Sequence, residues 1–455
     1  MAQPTPSQSH ALLQGQLTAP ETEALLSQGG FADWCAAERC LVRLADDAQS
    51  REVLADLLPH LLTTLYGAAN PDRVLVDLER FAHGAVDRLA TFEYLVSNPR
   101  AIEILVTLFA GSQFLAEILL CNPEYFERLM GLRGLAQHKS TEEFYAEAQV
   151  VCSGARGQPA LQLDALRRLQ RWELLRIGAC DLLGLFDLQA VTAQLSNLAD
   201  SLAQACLMIA SFQTEIDPTG FAVIAMGKLG GQELNYSSDI DLLFLAQSDA
   251  HTYRRLGERL IDGLSRLTAE GFLYRVDMRL RPWGQASPLV TSLDGYFAYL
   301  EKHARLWEKQ ALLKARLVAG DRSVGEAFSS RIEQSVYGAA AGAVRASAHA
   351  MKQRIEAHLR ERGRDWGEVK LGAGSIRDVE FVVQVLQLAH GGEQPDIRSR
   401  NTLDGLDRLA FNGQLSPEDA RALSDGYVFL RTVEHHLQMM HYRQSHSLPT
   451  DDEAL

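Results

Sequence analysis

Two aspartates separated by one apolar residue, Asp239 and Asp241, lie in a run (238–245) that reads as a β-strand. A strand sends alternate side chains to opposite faces, so both carboxylates leave one face while Ile240 and Leu242 turn to the core. At an effective dielectric of about 20 and a separation of about 6 Å, two ionised carboxylates repel by roughly 2–3 kcal/mol. A divalent cation relieves this, and Mg²⁺ (or Mn²⁺) suits the position because it takes oxygen ligands and bridges carboxylate to phosphate. Upstream, Gly230 and Gly231 offer backbone N–H groups that no side chain obstructs, a nest for phosphate, with Lys228 and Ser238 as further contacts. An Asp-x-Asp pair by itself is most often solvated surface. The order strand, glycine turn, strand with two aspartates, then a strand with Asp277 is what points to metal-assisted phosphoryl transfer.

Those residues need strands to hold them. The short apolar run 221–226, bounded by turn residues, suits a strand buried on both faces, and 227–231 follows as a loop. A helix is expected over about 253–270, with an apolar stripe at Leu256, Leu260, Leu264 and Leu267 and with Gly271 as its cap. The run 272–281 alternates Phe272, Tyr274, Val276, Met278 and Leu280 with Leu273, Arg275, Asp277, Arg279 and Arg281. This two-residue period predicts a ten-residue strand with one carboxylate among three guanidiniums on one face. On either side of this segment the texture is helical, with breakers such as Asn98-Pro99 and Asn122-Pro123. The expected fold is therefore α+β and mostly helical: a helical region over 1–215, a mixed-sheet catalytic domain over 216–325 and a helical region over 326–455.

Bulk properties restrict the functional classes. With 455 residues the chain is long enough for two or three domains. A net charge of −14 argues against a nucleic-acid partner, which needs a positive surface to displace counterions. Six cysteines at irregular spacing contain no Cys-x-x-Cys pair, so they read as reduced, buried hydrophobes in a cytoplasmic protein. Neither a secretory signal nor an apolar run of the ~20 residues needed to span a bilayer is present, so no membrane association is expected.

The stretch from Gly227 to Asp241, Gly-Lys-Leu-Gly-Gly-Gln-Glu-Leu-Asn-Tyr-Ser-Ser-Asp-Ile-Asp, resembles the signature of the bifunctional glutamine synthetase adenylyltransferase/adenylyl-removing enzyme family. The segments 275–282 (Arg-Val-Asp-Met-Arg-Leu-Arg-Pro) and 370–381 resemble its second and third motifs, and the likeness extends to 70–73 and 167–183. Ser375 and Asp378 depart from the commoner glycine and glutamate. The resemblance implies a polymerase-beta-like nucleotidyltransferase fold, with metal ions on Asp239, Asp241 and Asp277 and phosphate contacts from Arg275, Arg279 and Arg281. It also raises the interest of Arg377 and Glu380, in a helix expected to start near Ser375 after Gly372 and Gly374.

That family has two nucleotidyltransferase halves. Asn235, where the adenylylating half usually has glycine, implies the N-terminal, adenylyl-removing half, so the chain is expected to be a fragment of a longer enzyme. The implied reaction is phosphorolysis of adenylyl-tyrosine on glutamine synthetase, with phosphate consumed, ADP released and a PII-type signal protein as regulator. Three alternatives stand beside it: adenylylation from ATP with pyrophosphate release, a non-catalytic PII-binding module, and a template-independent RNA polymerase. Elsewhere, His435, His436 and His441 lack the i, i+4 spacing of helical metal ligands and read as polar helix-face residues, and Trp307 reads as helix core.

Overall fold

A computed structural model of the chain describes residues 4–131, 134–337, 340–363, 367–441 and 447–448. Two compact units are present, Met1–Gln137 with Trp172–Asp187 and Met439–His441, and His138–Arg171 with Leu188–Gln438 and Tyr442–Leu455. The six cysteines form no disulfide. Among the described residues no helix is long and apolar enough to cross a membrane.

Helices build the first unit, and their starts are written in the sequence. Asp33, Asp47, Asn70 and Asp87 each accept a hydrogen bond from the amide three residues on, satisfying a donor the helix itself leaves unpaired. Asn98 ends the helix Arg88–Ser97 and starts Pro99–Gly111, with proline at the position where a missing N–H costs nothing. In Trp34–Leu44 the buried residues Ala37, Cys40, Leu41 and Leu44 follow one helical stripe. Phe81 meets Phe109 and Phe126 edge-on, at centroid distances of 6.2 and 5.3 Å.

The second unit holds a five-stranded mixed sheet: β1 (Phe221–Ala225), β2 (Ile240–Ala246), β3 (Val276–Asp277), β4 (Val290–Ser292) and β5 (Arg316–Gly320). β1 lies between β2 and β5, antiparallel to both, while β2 pairs in parallel with β3 at its start and β4 at its end. The two central strands are apolar because both their faces are covered. Ala222, Ile224, Leu243 and Leu245 pack on one face with Tyr296, Phe297 and Phe328. On the other, Gly257 brings the helix Arg254–Ser265 against the ring of Phe244, and the helix Leu188–Thr214 packs beside it.

Several elements differ from expectation. The strand expected over 272–281 is only two residues long, and Leu273 and Tyr274, adjacent in sequence, are both buried. Their amides both donate to the Leu264 carbonyl (3.0 and 2.9 Å), so the chain is held against the preceding helix and not against a strand. After β3, Asp277 accepts the amide of Arg279 at 2.8 Å and turns the chain away. The helix expected over 253–270 ends at Ser265, Leu267 is exposed, and Gly271 serves a separate turn with Thr268. The expected loop 227–231 contains one helical turn, Gly227–Gly230. β4 and β5 were not anticipated at all: both are short and lack an alternating pattern.

Candidate active site

Parallel pairing of β2 with β3 sets Asp241 directly beside Asp277. Register partners in a sheet point to the same face, so the two carboxylates are neighbours by construction. Asp239, immediately before β2, has the same parity as Asp241. Gly227, at φ +54°, lies against this group: a Cβ there would fall 2.5 Å from Asp241 Oδ2. Only glycine allows both that conformation and that approach. Asp239, Arg275, Asp277, Met278, Arg279 and Arg281 line an open cleft of about 550 Å³.

The electrostatics are unequal across the cleft. Burial pushes the Asp241 carboxyl up to about 6, and the neighbouring charges of Asp277 and Asp239 push the same way, with Lys370 opposing them. Burial also acts to raise Asp277, but hydrogen bonds from the Arg279 side chain and amide outweigh it and leave this carboxyl below its ordinary value. Arg279 Nε donates to Asp277 Oδ2 at 2.7 Å. Arg275 Nε donates to Asp239 Oδ1 at 2.5 Å and its Nη2 to the Ser237 carbonyl at 2.6 Å. Among the described residues no three His, Cys, Asp or Glu side chains converge as a ready cage for a metal ion. Asp239 and Asp277 are each held by an arginine instead. The donor set, Asp239 and Asp277 lining the cleft with Asp241 paired beside Asp277, is nonetheless of the oxygen type that Mg²⁺ and Mn²⁺ take.

The other residues singled out from sequence lie elsewhere. Gly230 and Gly231 line no part of the cleft. A Cβ at Gly230 would meet the Lys314 carbonyl oxygen at 1.9 Å, and one at Gly231 the Arg400 carbonyl oxygen at 2.9 Å, so these glycines serve close backbone packing. Ser238 is half-buried beside Asp239. Lys228 binds Glu434 through both carboxylate oxygens (2.8 and 2.7 Å). Burial lowers its ammonium to about 7 against the opposing pull of that carboxylate. Glu380 accepts from Lys314 at 2.9 Å and is held below its ordinary value despite burial. Arg377 is lowered by burial and feels Glu380 and Glu368.

The helix Ile376–His390 starts after Ser375, where the glycine pattern predicts, although the Ser375 side chain makes no capping hydrogen bond. His436 is a surface residue, but His435 is buried with its ring 4.7 Å from Tyr236, and the side chain of His441 lies outside the described residues. Trp307, expected in a core, is 41% exposed on a seven-residue helix that buries Gln310 and Leu312. Sequence reasoning passed over Lys370, Arg431 and Glu434. Only Lys370 lay in a recognisable motif.

The small mixed sheet thus carries Asp241 and Asp277 in register, with Asp239 just before β2, beside an arginine-lined cleft. The family model for glutamate-ammonia ligase adenylyltransferase matches residues 102–331, and that for GlnD PII-uridylyltransferase matches residues 349–455. The chain is 36% identical to the bifunctional glutamine synthetase adenylyltransferase/adenylyl-removing enzyme of Streptomyces avermitilis, over 96% of its own length and 44% of that protein's. Its identity to proteins of the same description from Thioalkalivibrio sulfidiphilus and Hahella chejuensis is 40% and 38%, in each case over 77% of this chain and 38% of the relative. The chain thus belongs to the glutamate-ammonia ligase adenylyltransferase family, and it spans less than half the length of these relatives.

Proposed function

We propose that this chain removes AMP from an adenylylated tyrosine of glutamine synthetase by phosphorolysis, in the cytoplasm. The observation that carries the reading is the cleft that Asp239 and Asp277 line with Arg275, Arg279 and Arg281, with Asp241 paired beside Asp277. In the proposed reaction an oxygen of inorganic phosphate attacks the adenylyl phosphorus, the bond from that phosphorus to the tyrosine oxygen breaks, and ADP leaves. The tyrosine oxygen takes up a proton and becomes phenol again. Arg279 and Arg281 bind and orient the incoming phosphate, Arg275 holds Asp239, and Gly227 gives the backbone room beside Asp241. Asp239, Asp241 and Asp277 would hold Mg²⁺ (or Mn²⁺), which supplies charge neutralisation for the phosphoryl oxygens. Asp241, desolvated and repelled by Asp277 beside it, is suited to such a cation. A PII-type signal protein is the proposed regulator, a reading supported by the match of 349–455 to a PII-uridylyltransferase model.

The test is incubation of the chain with adenylylated glutamine synthetase, phosphate and Mg²⁺, with and without uridylylated PII protein, while ADP is followed. Phosphate-dependent ADP that disappears in Asp239→Asn is the expected result. Pyrophosphate formed from ATP and unmodified synthetase, with no ADP from the adduct, would reassign the chain to adenylyl transfer. That second reading is favoured by the adenylyltransferase description of the matching family model.

A further inference from the structure

The helix Pro417–His441 carries Arg431 and Glu434 three residues apart on one face, with side chains 1% and 0% exposed. A guanidinium and a carboxylate so deeply buried are costly unless each finds several partners. Their partners are concentrated in one short segment. Glu434 accepts two hydrogen bonds from Lys228 Nζ and one from Asn235 Nδ2 at 2.9 Å. Arg431 donates through Nη2 to Asn235 Oδ1 and to the Glu233 carbonyl, each at 2.6 Å, and through Nη1 to the Tyr427 hydroxyl at 2.9 Å. The Asn235 amide therefore bridges the two charges, its oxygen on Arg431 and its nitrogen on Glu434.

The gripped segment is the one that carries the aspartates. Lys228 adjoins Gly227, which lies against Asp241, and the amide of Met226 donates to the Asp241 carbonyl at 2.9 Å. Asn235 stands four residues before Asp239, and 232–239 contains no helix or strand to hold itself rigid. The hydrogen bonds from the helix thus reach Lys228, before this irregular stretch, and Glu233 and Asn235 within it. We propose that Arg431 and Glu434 are positioning residues, which clamp Lys228 and Asn235 so that Asp239 and Asp241 are presented to the cleft. The proposal rests on the reading of that cleft as the nucleotidyl-transfer site.

Two substitutions test the clamp from opposite sides. Glu434→Gln removes the charge that Lys228 binds, and Asn235→Ala removes the bridge while leaving Lys228, Arg431 and Glu434 in place. In each, kcat for ADP release should fall by about 10–100-fold, with KM for adenylylated glutamine synthetase changed by less than about twofold. Mn²⁺ affinity of the chain, read by electron paramagnetic resonance without substrate, should weaken on the order of tenfold. Folded variants with wild-type kcat and Mn²⁺ affinity would overturn the clamp, as would two variants that both fail to fold, which would make the network a folding element. A wild-type chain showing neither ADP release nor Mn²⁺ binding would overturn the functional reading as well. An active wild type with unaltered variants removes only the clamp.

Discussion

The second unit keeps two groups of charges, and they are treated in opposite ways. In the cleft, carboxylates stand side by side, and the Arg279 side chain beside them is 74% accessible. In the buried network around the helix Pro417–His441, the charges have opposite charges or hydrogen-bond acceptors beside them. Lys314 lies between Glu233 and Glu380, and Arg431 between Glu434 and the carbonyl of Glu233. Under the proposed function, the contrast separates charges that would meet a ligand from charges that hold the frame. In the cleft, Arg275 and Arg279 hold Asp239 and Asp277 but Asp241 is still pushed up by burial and by its carboxylate neighbours, and a bound cation would relieve it. A network with matched partners has nothing to gain and acts as a frame.

Substitutions in the two groups should therefore separate stability from activity. The largest effect is expected from Lys314→Met, which leaves Glu233 and Glu380 buried without their cation. It should lower stability by about 3–5 kcal/mol in urea unfolding, and a loss below about 1 kcal/mol would break the comparison. Asp241→Asn should do the reverse. ADP release should fall on the order of 100–1000-fold while the thermal midpoint holds or rises, because the substitution removes a buried charge that its neighbours repel. Chelation of divalent ions should reproduce the loss in the wild type, and Mg²⁺ should restore it.

Smaller effects sharpen the same contrast. Arg279→Gln should raise the apparent KM for phosphate about tenfold, the worth of one charge-assisted hydrogen bond, with stability changed by less than about 0.5 kcal/mol. The exposed pair Arg254 and Glu258, one helical turn apart, is the control. Arg254→Gln should cost no more than about 0.5 kcal/mol and leave turnover untouched.

Much of the local structure was legible from residue order. The apolar runs of β1 and β2, the Asn-Pro helix boundaries and the helix start after Ser375 all follow from rules that act over a few residues. The failures share a cause. The alternation across 272–281 was real, but the Leu264 carbonyl captured two successive amides and overrode it. β4 and β5 are strands because β2 and β1 offer them edges, which nothing in their own composition announces. Trp307 and His435 exchanged expected surroundings for the same reason: burial was decided by what packed nearby.

Residue order alone determined which side chains could do chemistry: Asp239 and Asp241 share a parity, and glycines flank the turn before them. It also determined that a buried sheet must carry them, since two short apolar strands cannot be left in water. Only the tertiary structure decided their company. Parallel register placed Asp277 beside Asp241, and Gly227, not Gly230 or Gly231, faces the carboxylates. Lys228 was turned to a glutamate 206 residues away. Periodicity and turn chemistry reach a few residues along the chain, whereas the partner of a buried charge is chosen by whichever distant element folding brings within about 3 Å.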